Sequence, residues 1–219
     1  MNEKYELTEE FKEIETLREG WLQKIKVYRI RALRAFADVK IGDLGGFVET
    51  KQNLSNMGNA WVYGNAEVRD NAWVCDNARV RDNARVRDNA WVCGDAWVCD
   101  NARVRDNARV YGNARVRDNA KVYGNAEVCG DARVRDNANI FWCSSIGSRH
   151  ATTTMFRNKD NGITVTCGCF MGTLEEFAER VEKEHGENIF GKEYKLLIEL
   201  AKIHFGLQDE TKGEEENGI

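Results

Sequence analysis

The sequence predicts a mainly β fold whose centre is a stack of very short strands, and three observations predict it. From Asn59 the chain runs in hexapeptides, NAWVYG, NAEVRD, NAWVCD, NARVRD, unbroken to NANIFW at 137–142, fourteen units in all. In every unit an alanine stands two residues before an aliphatic residue, from Ala60 and Val62 to Ala138 and Ile140. Between units lies a pair of small polar residues, Asp or Gly followed by Asn or Asp. A period of six does not fit an α-helix, whose apolar stripe recurs at three and four. A separation of two is strand alternation, which turns Ala and Val to one side and their neighbours to the other. Asp, Asn and Gly tolerate the backbone angles of a corner and bond locally to it.

The pattern aliphatic-x-x-x-small-x resembles the left-handed parallel β-helix of hexapeptide-repeat proteins. That resemblance implies three hexapeptides per coil and a triangular column. Val62, Val80, Val98, Val116 and Val134 would fill its core, and stacked Asn side chains could form amide ladders. YRIRALRAF at 28–36, GDLGGFVE at 42–49 and NLS at 53–55 resemble the N-terminal part of hexapeptide-repeat proteins common in phages, prophages and gut bacteria. CGCFMGTLEEF at 167–177 with HGEN at 185–188 resembles their C-terminal module. The resemblance carries no established activity.

Taken in order, residues 1–47 predict an N-terminal α/β cap. Phe11, Ile14 and Leu17, three apart, predict a helix over Thr8–Glu19, and Ile25–Ile30 alternates as a strand. Gly42, Gly45 and Gly46 mark a tight entry into the column. The β-helix is expected over 48–147, with Ile146 continuing its phase and a two-residue insertion between Leu54 and Val62. Residues 148–206 predict a hairpin, ATTTMFR and ITVTCGC around NKDNG, followed by two helices. The first opens on the capping box Thr173–Glu176 and ends at Gly186. The second buries Tyr194, Leu197, Ile198, Ala201 and Phe205. The acidic stretch 207–219 is expected to be disordered.

Composition limits the function classes. No run approaches 18 apolar residues and the N-terminus has no apolar leader, so no membrane segment or secretory signal is expected. The seven cysteines are then expected as reduced thiols in a cytoplasmic setting. The net charge is −4, and residues 59–142 carry +1, so nucleic acid is an unfavoured partner.

An 18-residue coil sorts the outward residues onto three faces. One shows Trp61, Tyr63, Trp97 and several arginines. A second carries Arg85, Arg87, Arg103 and Arg105 in rows, weakly a polyanion patch, with Asp corners placed to neutralise it. The third shows Trp73, Cys75, Trp91, Cys93, Tyr111 and Cys129 with little charge. Trp and Tyr with few charges describe the centre of an interface. Contact with a second copy is the favoured cover for this face, and a terminal segment of the same chain the alternative.

Chemistry is harder to find. All three histidines, His150, His185 and His204, lie beyond the repeat, which argues against the acyltransferase chemistry that many β-helix proteins perform. Cys75 and Cys93 fall close enough on adjacent coils to pair or share a soft metal, but buried free thiols are the simpler reading. Cys167 and Cys169 with Cys143 and a histidine make a poor zinc set. Cys169 before a helix start, with His185, is a weak nucleophile pair. No catalytic residue, metal or cofactor is expected. The sequence reads as a non-enzymatic scaffold that forms a dimer or trimer and binds a protein partner. A phage inhibitor of a host defence protein and an acyltransferase are the alternatives.

Overall fold

A computed structural model describes residues 3–18 and 20–207. The chain enters through an antiparallel hairpin, β1 (Tyr5–Arg18) and β2 (Trp21–Ala32), turned at Gly20. The segment expected as a helix from Thr8 is therefore a strand, and the N-terminal cap is β rather than α/β; Glu19 lies outside the described residues. Long-range partners override the local spacing of three. Phe11, Ile14 and Leu17 lie opposite Tyr28, Ile25 and Leu22. Lys12 and Arg18 pair with Glu67 at 3.5 Å and Glu49 at 2.6 Å, and Arg69 donates to the Thr16 hydroxyl at 2.9 Å. The expected strand Ile25–Ile30 falls inside β2. A third strand, β3 (Leu44–Val48), pairs antiparallel with β2 and parallel with Glu67–Val68, so the hairpin closes the first edge of the column.

The first thirteen hexapeptides then each supply one two-residue strand, β4 (Trp61–Val62) to β16 (Arg133–Val134), at six-residue steps. Residue i pairs in parallel with residue i+18, as Val62 with Val80 and Trp73 with Trp91. Three parallel sheets result, and the chain is a parallel β-solenoid. Val62, Val80, Val98, Val116 and Val134 are fully buried, as are the alanines beside them. Val48 lies beside Val68, Leu54 beside Val74 and Val62 beside Val80, so the two-residue insertion is absorbed without a loss of register.

The corners repeat one solution. Asp70, Asp76, Asp82, Asp88, Asp100, Asp106 and Asp118 hold φ of 57–60°, the left-handed region where short polar side chains are tolerated. Gly94 and Gly112 take the same role where neighbouring coils crowd the corner. A Cβ on either would lie 2.9 Å from a backbone nitrogen one coil on. The expected amide ladder runs Asn71, Asn89, Asn107, Asn125, each amide donating to the next at 3.0–3.2 Å. Asp70, Asp88 and Asp106 accept from the backbone N–H one coil further on.

The column ends at Val134. Ile146 does not continue its phase. It belongs to β17 (Ile140–Ile146), which leaves the column and pairs antiparallel with β18 (Ala151–Arg157). The expected hairpin is present around Asn158–Gly162, joining β18 to β19 (Ile163–Cys167). It is the middle of a four-stranded sheet completed by β20 (Phe170–Thr173). Apolar residues on both sides explain the enlargement. Phe156 packs into the column core, and Met155 and Val165 into a second core under the helices. Glu127 N–H donates to the Thr154 hydroxyl at 3.0 Å, tying this sheet onto the last coil. Helix α1 (Leu174–His185) starts on the Thr173–Glu176 capping box and ends at Gly186, and α2 (Ile189–Phe205) follows. Tyr194, Leu197, Ile198, Ala201 and Phe205 are buried as expected. The tail expected to be disordered lies, from residue 208, outside the described residues. Among those residues no helix is long and apolar enough to cross a membrane.

Candidate interaction face

The sheet of Trp73–Val74, Trp91–Val92, Arg109–Val110 and Glu127–Val128 turns its valines inward and its other residues out. Register alone therefore brings the candidate residues into one column. Trp73 and Trp91 meet edge to face, ring centroids 5.5 Å apart, and the Arg109 guanidinium lies 5.4 Å from the Trp91 ring. Tyr111 donates to the Glu127 carboxylate. Burial and that carboxylate both push the Tyr111 phenol above its ordinary value, so it stays a neutral donor. Trp73, Trp91 and Tyr111 are 37, 45 and 38 % exposed along an open groove of about 590 Å³.

Cys75 and Cys93 are joined as a disulfide, Cα atoms 4.8 Å apart, which corrects the reading of both as free buried thiols. The physical reason is the 18-residue register. It places equivalent side chains on neighbouring coils at a separation a disulfide spans. Cys129, in the same row, stands apart from the groove. It is buried beneath Met171 of β20, Sγ to Sδ 3.8 Å, and its thiol is raised by burial. So the C-terminal module covers the far end of this face, and among the described residues neither terminal module covers Trp73, Trp91 or Tyr111. The sequence-based reading missed Met171, whose position depends on β17–β20 docking on the column. It also missed Asp76, which accepts from Gly94 N–H at 3.1 Å on the groove's edge.

The other two faces differ. Trp61 and Tyr63, read as outward, do leave the coil, but Trp61 is 1 % exposed because Tyr5 and Phe36 of the N-terminal cap close over it. On the arginine face, Arg85 lies 3.6 Å from Glu67, Arg87 3.2 Å from Asp88 and Arg105 3.5 Å from Asp106. Acidic neighbours thus stand beside three of the four candidate arginines. Arg103 stacks between Arg85 and Lys121.

The C-terminal cysteines follow a different geometry from the one expected. Cys169 sits exposed in the turn between β19 and β20, and β20 separates it from the α1 N-cap, so the helix start does not act on it. Cys167 accepts from the Thr153 hydroxyl at 3.2 Å and contacts Tyr194 Oη at 3.7 Å. Cys167, Cys169 and His185 line one small cleft of about 150 Å³. His204 stacks on Phe141 at 5.3 Å. Among the described residues, three potential ligand atoms come within 4.8 Å of one another at Cys75–Asp76–Cys93 and at Asp82–Cys99–Asp100. The C-terminal cysteines and histidines belong to neither group. At the second, burial and Asp100 push the Cys99 thiol up to about 12.

The family model described as the YdcK beta solenoid repeat matches residues 108–124, about one coil of this column. The match agrees with the fold and covers a small part of the chain. No curated protein matches the sequence.

Proposed function

We propose that this chain is a non-enzymatic β-solenoid scaffold that assembles into a dimer or trimer through the Trp73–Trp91 face and offers its remaining surface to a protein partner. The observation that carries this reading is the pair of half-exposed tryptophans on a flat, rigid sheet. Soluble proteins rarely leave such a patch in water, and interface centres favour these residues. Burying each ring is worth roughly 1.5–3 kcal/mol. Closed symmetric assembly is the common way to bury it. The disulfide and the ladder below the rings hold the patch in a fixed shape, so little ordering cost opposes association. Changing both Trp73 and Trp91 to Glu is expected to shift the light-scattering mass towards that of one chain while the far-UV spectrum keeps its β character. A parent that is already monomeric at micromolar concentration would sink the reading.

A further inference from the structure

The pairing of Val74 with Val92 lays Cys75 and Asp76 against Cys93 and Gly94 of the next coil. Gly94 brings no side chain to this corner. The Asp76 carboxylate leans over it instead, one oxygen accepting from Gly94 N–H at 3.1 Å. The Asp76 backbone is pinned as well, its carbonyl accepting from Asn59 N–H at 2.6 Å and Ala60 N–H at 2.7 Å. The two sulfurs and an Asp76 carboxylate oxygen therefore lie within 4.8 Å of one another. Two sulfurs and a carboxylate are a donor set that suits zinc. The other cluster, at Asp82, Cys99 and Asp100, has a single sulfur. Its thiol donates to Asp100 at 3.2 Å, and the Arg117 and Arg81 charges act on that carboxylate. It is the poorer place for a cation.

We infer that Cys75, Cys93 and Asp76 form a zinc site when the disulfide between the two cysteines is reduced. The column supplies the spacing. Equivalent atoms on neighbouring coils stand about 4.8 Å apart. Two thiolates on one tetrahedral zinc stand about 3.8 Å apart, given Zn–S bonds of about 2.3 Å. Side-chain rotation closes that difference while the coils keep their register. Three protein ligands leave the fourth position to solvent, which reaches Asp76. Opening the bond takes two electrons and two protons from an external dithiol, which departs as its own disulfide. Zinc then displaces the two thiol protons to water. The disulfide and the metal use the same sulfurs, so each state excludes the other.

The test uses the full chain, oxidised or reduced with dithiothreitol and then freed of it by gel filtration without air. Thiol counts of five and seven identify the two forms. Each is given zinc chloride, desalted and measured by elemental analysis. The reduced parent should hold one more zinc per chain than the oxidised parent. The five other cysteines are free thiols in both forms, so they do not contribute to the difference. Cobalt(II) should give the reduced parent a stronger thiolate-to-metal absorption band than the oxidised parent. A Cys75→Ala, Cys93→Ala chain, its fold checked by circular dichroism, should hold the same zinc with and without reductant. Asp76→Gly copies the residue already present at Gly94 and Gly112, so the corner should keep its shape. Loss of an outer-shell partner costs a metal site about 10-fold or more in affinity, and loss of this ligand should cost at least as much in competition with a chromogenic chelator. Equal zinc on the oxidised and reduced parent, a reduced double variant that holds as much as the reduced parent, or an Asp76→Gly chain of unchanged affinity would each overturn the inference. Zinc is counted per chain, so the result stands whether or not the tryptophans meet a second copy.

Discussion

Lys4 shows how a single side chain ties the cap to the column. Its ammonium is buried, donates to the Ala60 carbonyl at 2.9 Å and lies 5.2 Å from the Phe36 ring. Burial first, and the Arg34 charge second, lower its pKa to about 8. The sign of the linkage follows. Between pH 8 and about 10 the unfolded chain holds this proton and the folded chain does not, so Lys4 makes stability rise with pH across that window. The raised thiols of Cys99 and Cys129 act the other way, and the raised tyrosines join them above pH 10. The contribution is therefore read as a difference. Parent stability minus that of Lys4→Met, from urea unfolding at a series of pH values, should climb by up to about 1.4 kcal/mol per pH unit from pH 8 to 10. Parallel curves would mean that the folded protein keeps Lys4 charged throughout. Nothing in the sequence around Lys4 reveals this role, because the Ala60 carbonyl and the Phe36 ring that meet its ammonium lie far along the chain. The buried valines, by contrast, are legible directly, since each reports its side through a neighbour two residues off.

Among the elements, legibility follows the range of the determining contact. The short strands, the corners, the Asn158–Gly162 turn and the α1 capping box are set by residues within six positions, and the sequence displays them. β1 is set by β2 and by the first coil, so its spacing of three misleads. β17 is set by β18, so Ile146 leaves a phase that its sequence continues. Cys75–Cys93 lies between these cases. The repeat shows that the two are neighbours, and only the side-chain geometry shows that they bond. Closing an 18-residue segment this way should stabilise the first two coils by about 3 kcal/mol, chiefly by restricting the unfolded chain. Reductant should accordingly lower the urea midpoint of the parent and leave that of a Cys75→Ala, Cys93→Ala chain unmoved. Equal midpoints for the parent with and without reductant would show that the bond adds nothing to the column.

For the whole molecule the question is which surfaces meet partners, and charge separates the arginine face from the apolar ones. Thirteen basic and twelve acidic residues fall within 59–142, so the field of the column nearly cancels at a distance. Residues 143–219 add a net −5, which repels a polyanion further. Affinity for nucleic acid depends on releasing counterions from many phosphates at once. A row in which three of four arginines stand 3.2–3.6 Å from carboxylates has already spent much of that capacity inside the chain. Such exposed pairs are worth roughly 0–1 kcal/mol each, so they hold the column up very little. Replacing Arg85, Arg87, Arg103 and Arg105 by Gln should therefore leave the melting temperature within a few degrees of the parent. Fluorescence anisotropy with labelled DNA and RNA should find no nanomolar binding by the parent at physiological salt. Tight binding that weakens steeply with salt and vanishes in the quadruple variant would move the site of function to this face. Its absence leaves the groove of Trp73, Trp91 and Tyr111 as a column face on which aromatic side chains stand exposed with few charges beside them.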